Sequence, residues 1–452
     1  MKARYAAAAI AGVILVALVI FTPAAKAVGD LSGDAYDSLR LFTRVLALVE
    51  TKYVEPVNVK DLVYGALNGM LTNLDPHSSF LTPKEFKELS EETSGKFGGL
   101  GIEITLMKDG YIGVISPIDD TPASRAGIQA GDVIVKIEGM VTKGMSVSDA
   151  VGKLRGQPGT KVSITIYREG LDKPFDVTIE RAIIEVATVK SKVIEPGYGY
   201  VKLTQFSANA NTELVKAIKA LDASEKGLKG LVLDLRNNPG GLLDQAVEVS
   251  NEFLTSGLIV YTHGRTESQN MSFSASPGGV YTTGPLVMLV NGGSASASEI
   301  LAGALQDQHR AVLVGTKTFG KGSVQTIMQL DDGAAIRLTT AKYFTPAGHD
   351  IQAKGITPDF VIPANQFAGM EPAQIKFMRE RDLKGRLKNV EEEAPGAQPL
   401  PSENTPVPEE AQPQPAPDQE KVKPEDLKDP QLDQAMSILK NGPDLQKGTV
   451  NP

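Results

Sequence analysis

Between Gly197 and Gly315 the chain repeats one pattern: a short apolar run, then a turn, then a stretch with apolar residues at helical spacing. "GYGYVKLTQFS" reads as a strand, and "NTELVKAIKALDA" as a helix with Leu214, Ile218 and Leu221 on its inner face. "GLVLDLR" is followed by "NNPGG" and the helix "LLDQAVEVSNEFL"; "PLVMLVN" is followed by small residues and the helix "SEILAGALQDQ"; "AVLVG" is again a strand. Strands apolar at every position need cover on both faces, and parallel neighbours need a crossover between them. The alternation therefore predicts an α/β core with a mainly parallel sheet flanked by helices, spanning 183–365.

Around this core the texture changes. Residues 28–96 carry two helical stretches, in the first of which Tyr36, Leu39, Phe42, Leu46 and Val49 recur at helical spacing; "DPHSSFLTPKEF" breaks the second. These helices are candidates for a partner surface or for simple packing. Residues 97–182 show short alternating strands cut by Gly, Asp and Pro, which predicts a small β-rich domain. It contains one helix, "MSVSDAVGKLRG", with Ser146 and Asp149 as its capping box and Val147, Val151 and Leu154 on one face. Residues 366–390 read as a helical or linker segment. From 391 to 452 the chain is acidic and rich in Pro, Gln and Glu, too polar to offset its ordering entropy. Within that tail a short amphipathic helix is expected at 430–440, with Leu432, Met436 and Leu439 on one side; the tail as a whole is a candidate tether, adaptor site or solubilising extension.

The net charge of −8 argues against nucleic acid as the main partner. The absence of cysteine excludes thiol catalysis, disulfides and thiolate metal sites. The first 27 residues read as a secretory signal: Lys2 and Arg4, a long apolar run, then an A-x-A site at Ala25 and Ala27. The alternative is an uncleaved anchor. Both make the globular part an exported one, facing the periplasm in a bacterium.

Two loops carry the chemistry. "GTKTFGKGS" nearly fits a phosphate-binding loop but has Gly322 where the Mg²⁺-binding hydroxyl belongs, and the following "SVQTIMQL" reads as a strand. Lys321 instead lies between Gly320 and Gly322, which let backbone pack closely around it. Burial lowers a lysine pKa, and a shift from ~10.4 to ~7–8 needs only ~4 kcal/mol of desolvation, yielding a general base. The second loop, "NGGSASASEI", runs from a buried strand into a helix, the geometry that exposes a nucleophile beside free helix N–H groups. Ser294, Ser296 and Ser298 are all candidates, with Ser294 also suited to the turn and Ser298 to capping the helix beside Glu299. From the residues alone the choice stays open. The glycines of "RNNPGG" would bring a backbone N–H near a developing oxyanion.

The runs "GSASASEILAGALQD" and "GTKTFGKGSVQT", preceded in order by "LDPHSSFLTPKEF", "GGLGIEI", "PASRAGIQAGDVI" and "LVLDLRNNPGGLL", resemble the carboxy-terminal processing peptidases, or tail-specific proteases. The likeness spans roughly residues 38–362. It implies a multidomain α/β fold: a crotonase- or Clp-protease-like core, an inserted PDZ domain and an N-terminal helical region. It also implies Ser296 as nucleophile, Lys321 as base 25 residues on (321 − 296), Gln325 as the residue orienting the lysine, and the N–H groups of Gly240 and Ala297 as the oxyanion hole.

The same resemblance makes the β-rich insert a peptide-binding module. "GGLGI", a glycine-bearing loop that includes Gly101 and leads into a strand, suits capture of a terminal carboxylate by backbone N–H groups. A tail would add to the strand at Ile102 and Ile104, its apolar end against Leu100, Val147, Val151 and Leu154. Arg155 reads as a solvated arginine, with a contact between this module and the core as the alternative. His77, His263, His309 and His349 lack metal-ligand spacing, and Asp307 reads as a loop-holding group. The expectation is a serine endopeptidase without cofactor or metal that cuts proteins with free apolar C-terminal tails. An adaptor, a homo-oligomer through the N-terminal helices, and a non-catalytic or latent scaffold remain as alternatives.

Overall fold

The computed structural model describes residues 33–363, 378–393 and 429–442. The signal reading and most of the acidic tail lie outside these residues. Residues 33–71 belong to a unit of their own. It contains the helix Gly33–Lys52 and all but the last residue of the helix Val59–Thr72, and the first helix exposes Tyr36, Leu39, Phe42 and Val45.

The second unit begins at Thr72 and holds the core. Its main sheet has six strands in the order Val189–Glu195, Tyr198–Leu203, Gly230–Asp234, Leu286–Val290, Val312–Gly315, Phe360–Val361. The first pair is antiparallel and the other four are parallel. Gly230–Asp234 and Leu286–Val290 are buried at every position, as their unbroken apolar runs require. Side chains alternate between faces. Leu231, Leu233, Met288 and Val290 pack with the helices Ala210–Glu225, Leu243–Asn251 and Ala297–Asp307.

Val232, Val287, Leu289 and Val314 point the other way, onto Ala435, Met436, Ile438 and Leu439. The helix in the tail, Pro430–Asn441, thus closes the second face of the sheet. The short helix expected at 430–440 is thus present. Asp429 caps it, and Lys440 pairs with Glu195.

A second, antiparallel sheet joins Ser79–Leu81, Ala335–Phe344, Leu258–Gly264 and Ser272–Ser274, with Ser323–Gln329 paired to Ala335–Phe344. The strand after Lys321 is thereby fixed to the strand that carries Arg337 and Tyr343.

The β-rich insert is an antiparallel sheet in the order Ile102–Leu106, Ile112–Pro117, Val133–Ile137, Lys161–Tyr167, Phe175–Glu180, with Met140–Val141 alongside the third. Its own core includes Ile112, Ile134, Ile137, Ile164 and Ile166. The helix Val147–Leu154 is capped by Ser146, whose hydroxyl accepts from Asp149 N–H. Ile102–Leu106 pairs on one side only and lies beside that helix. The chain enters and leaves the insert through one paired stem, Lys96–Gly99 with Ala182–Glu185.

Candidate active site

Strand Leu286–Val290 ends in a tight loop, and helix Ala297–Asp307 starts immediately after Ser296. Ser296 has φ +57° and ψ −114°, a conformation that L-residues rarely adopt and that persists only where the surroundings impose it. The surroundings are two fully buried serines. Ser294 Oγ donates to Leu235 O at 2.8 Å and accepts from Asn291 N–H; Ser298 Oγ donates to Asn238 O at 2.9 Å. Both fasten the elbow to the 235–241 loop. Ser298 therefore does not cap the helix, as the sequence reading had it: the cap position belongs to Ser296, and the Ser298 hydroxyl reaches across to the neighbouring loop.

The 235–241 loop follows strand Gly230–Asp234. Gly240, at φ +103°, lies so close to the elbow that a Cβ would sit 2.8 Å from Ser296 Cβ and 3.0 Å from Ala297 N. Only glycine fits there. Its N–H donates to Asn238 Oδ1 at 2.9 Å, while Asn238 Nδ2 donates to Leu203 O. The Ala297 N–H makes no hydrogen bond among the described residues.

Lys321 stands on the loop between strands Val312–Gly315 and Ser323–Gln329. The flanking glycines have the role their positions suggested: a Cβ on Gly322 would meet Gln352 N at 2.5 Å, and one on Gly320 would meet Gly355 N at 3.1 Å. Burial pushes the Lys321 ammonium below its ordinary range, helped by the charge of Arg337 and opposed by Glu380, Glu299 and Asp75. Ser296, Ala297, Gly240, Lys321 and Gln325 line one cavity of about 730 Å³. Among the described residues no hydrogen bond joins Ser296 Oγ to Lys321 Nζ. Gln325 Nε2 donates to Ser323 Oγ at 3.0 Å and makes no bond to Lys321.

Glu299 holds the arrangement together. Entirely buried, it accepts four hydrogen bonds: from Thr318 Oγ1 (2.5 Å) and Gly320 N (2.7 Å) at Oε1, and from Ser296 N and Lys321 N (2.9 Å each) at Oε2. One carboxylate oxygen thus ties the amides of both candidate catalytic residues. Burial raises its pKa from 4.5 to about 7 against the downward pull of those bonds. The sequence analysis read Glu299 only as a dipole partner. The missed signal was the S-x-x-E spacing from Ser296, a capping box displaced from the serine chosen as cap.

Behind the base, Glu380 joins His77 Nε2 (2.8 Å) and Gln352 Nε2 (2.9 Å), and Gln352 Oε1 accepts from Gly322 N. His77 is thus structural. His349 is mostly exposed and His309 terminates the elbow helix with φ +53°. His263 is exposed on strand Leu258–Gly264. Asp307 accepts from Ala347 N at 2.8 Å, holding that loop. Arg155 lies 4.1 Å over the Phe97 ring and 3.8 Å from Glu91. It is not the solvated arginine of the sequence reading; it bridges the insert to helix Pro83–Ser94, whose Phe86, Leu89 and Thr93 line the cavity. In the insert, the N–H groups of Leu100 and Gly101 make no hydrogen bond among the described residues, Ile102, Ile104, Val147 and Val151 are partly exposed, and Leu100 and Leu154 are buried beneath them. No group of metal-binding side chains occurs among the described residues.

Family models match in three places: peptidase family S41 at residues 197–362, a PDZ domain at 113–168, and the activating protease CtpB N-terminal domain at 24–84. A carboxy-terminal-processing protease of Bartonella bacilliformis is 46% identical over 80% of this chain and 84% of its own. A carboxyl-terminal-processing protease of Synechocystis is 42% identical over 74% and 80%. The solved structure of a photosystem II D1 C-terminal processing protease aligns at 33% identity over 71% of this chain and 92% of that one, with a TM-score of 0.42. The chain belongs to peptidase family S41, among the carboxy-terminal processing proteases, and is a serine-type peptidase with a PDZ domain.

Proposed function

We propose that this peptidase is exported, captures apolar C-terminal tails in its PDZ domain, and cuts them with a Ser296–Lys321 dyad. The observation that carries this reading is the Ser296 elbow, held at φ +57° and facing the same cavity as a desolvated lysine. Neutral Lys321 takes the hydroxyl proton as Ser296 Oγ attacks the scissile carbonyl carbon. The Ala297 N–H, unpaired at the helix start, and the Gly240 N–H stabilise the oxyanion. The proton then passes from Lys321 to the leaving amine, and water resolves the acyl-enzyme. The edge strand Ile102–Leu106 and the unpaired amides of Leu100 and Gly101 support tail capture by strand addition.

A second reading is latency. Two observations favour it: Ser296 and Lys321 are not hydrogen-bonded, and Gly240 N–H is taken by Asn238. Incubating wild type, Ser296→Ala and Lys321→Ala with one apolar tail, free or amidated at its terminus, tests both. Cleavage of the free tail by wild type alone is expected. Equal cleavage by Ser296→Ala sinks the dyad, and equal cleavage of both tails sinks carboxylate capture. Labelling of Ser296 by an acylating probe without tail cleavage identifies the latent form.

A further inference from the structure

One cationic side chain in the cavity has no assignment. Arg337, on strand Ala335–Phe344, lines the same cavity as Ser296 and Lys321. Its backbone is fixed from both sides, by Ser79 of one neighbouring strand and Ile327 of the other. Yet its guanidinium takes part in no ion pair and no hydrogen bond among the described residues, and its Nε is buried without a partner. Most arginines of this chain that approach the interior behave otherwise. Arg168 binds Asp132, Arg236 binds Asp234 and Asp429, Arg386 binds Glu392, and Arg310 donates to the carbonyls of Phe253 and Tyr281. Glu92 is the one carboxylate in the cavity lining and makes no ion pair with Arg337. Much of the remaining wall is apolar, including Phe86, Leu89, Leu242, Ile300 and Val324. A buried guanidinium donor left unbonded is costly, and a carboxylate is the group whose geometry satisfies it best.

Building on the dyad reading, we infer that Arg337 is a specificity residue of the cleavage cavity, binding a carboxylate of the polypeptide that lies across Ser296. Two sources share that chemistry: an Asp or Glu side chain near the scissile bond, and the terminal carboxylate of a short tail. Arg337 also bears on the base. The groups that face Lys321 are Arg337, Glu380, Glu299 and Asp75, and only the arginine favours the neutral amine. A substrate carboxylate on Arg337 offsets that effect, so recognition and base strength act on one charge.

The test uses the full chain and matched tails that differ only by Asp or Asn at one position scanned through the segment around the cut, each with a free or amidated terminus. For wild type, kcat/KM should favour Asp over Asn at one position by about tenfold, the worth of one hydrogen bond to a charged group. Arg337→Gln should abolish that ratio, and Arg337→Lys should retain part of it. Loss in Arg337→Gln of the free-over-amide ratio alone assigns the site to the terminal carboxylate and also supports it. The acid limb of kcat/KM for the Asn tail should move to higher pH in Arg337→Gln. If neither ratio differs between wild type and Arg337→Gln, with melting temperatures matched, the assignment is overturned, whatever the acid limb does. Failure of the dyad is read separately, from cleavage by Ser296→Ala.

Discussion

Glu299→Gln separates the positioning of the dyad from the stability of the fold. The substitution keeps one acceptor oxygen and turns the other into an amide NH₂. That NH₂ must face either the Ser296 and Lys321 amides or the Thr318 hydroxyl and Gly320 amide. Two buried donors lose their acceptor, at about 1–3 kcal/mol each. Against this, a carboxyl moved from 4.5 to about 7 carries about 3 kcal/mol of disfavoured charge, which glutamine lacks. The two effects oppose one another in stability. They do not cancel in catalysis, because either orientation loosens one side of the bridge between nucleophile and base, and misplacement by about 1 Å costs roughly 10²-fold. The expected result is a melting temperature within a few degrees of wild type and a kcat lower by about two orders of magnitude. The pH dependence sharpens the test. A folded-state pKa raised above the unfolded value means that stability is greatest below about 4.5 and falls as pH rises through about 7. Glu299→Gln should flatten that slope. Activity should run the other way in wild type, rising with pH as Lys321 loses its proton. A kcat within threefold of wild type, or an unchanged slope of melting temperature with pH, would refute the clamp.

Gly240→Ala should abolish cleavage and acyl-probe labelling together, because its Cβ would lie 2.8 Å from Ser296 Cβ and 2.7 Å from Ala295 O at φ +103°; retained labelling by a well-folded variant contradicts the packing. Lys321→Arg should be inactive across pH 6–10, since a guanidinium stays charged throughout that range, and recovery at high pH would exclude the lysine as base. Truncation before Asp429 should lower the urea midpoint by the equivalent of about 5 kcal/mol, from removing the cover that Met436, Ile438 and Leu439 give the sheet and from taking Asp429 away from Arg236, which keeps Asp234. An unchanged midpoint would show that the helix is dispensable to the sheet.

The parallel sheet was legible because Gly230–Asp234 and Leu286–Val290 are apolar at every position, a signal that survives without knowledge of the partner. The antiparallel sheet was not. Ala335–Phe344 mixes polar and apolar residues, and it pairs with Ser79–Leu81, whose distance along the chain no local pattern encodes. Lys321 stood out through its flanking glycines, which report tight backbone packing directly. Glu299 did not, since three of its four donors are backbone amides and the loop that supplies three of the four lies 19 to 22 residues downstream. Arg337 carried no signal at all, being one basic residue in a strand. The tail helix showed its amphipathic face in sequence, but nothing there said that the sheet had an uncovered side to receive it.

Two sets of elements wall the cavity. On one side, the elbow, the 235–241 loop and the lysine loop are joined by buried hydrogen bonds from Ser294, Ser298 and Glu299, so moving one moves all three. On the other side stands helix Pro83–Ser94, capped at both ends by the Thr82–Glu85 box and by Gly95. The helix runs through Gly95 into the stem strand Lys96–Gly99, and its side-chain link to the insert is the partly exposed Arg155–Glu91 pair. An ion pair at the surface contributes less than about 1 kcal/mol. The insert itself is attached through a single two-stranded stem, braced where Gly156 N–H donates to Gly98 O. The side-chain link between helix Pro83–Ser94 and the insert is thus weaker than the buried hydrogen bonds that join the loops of Ser296 and Lys321.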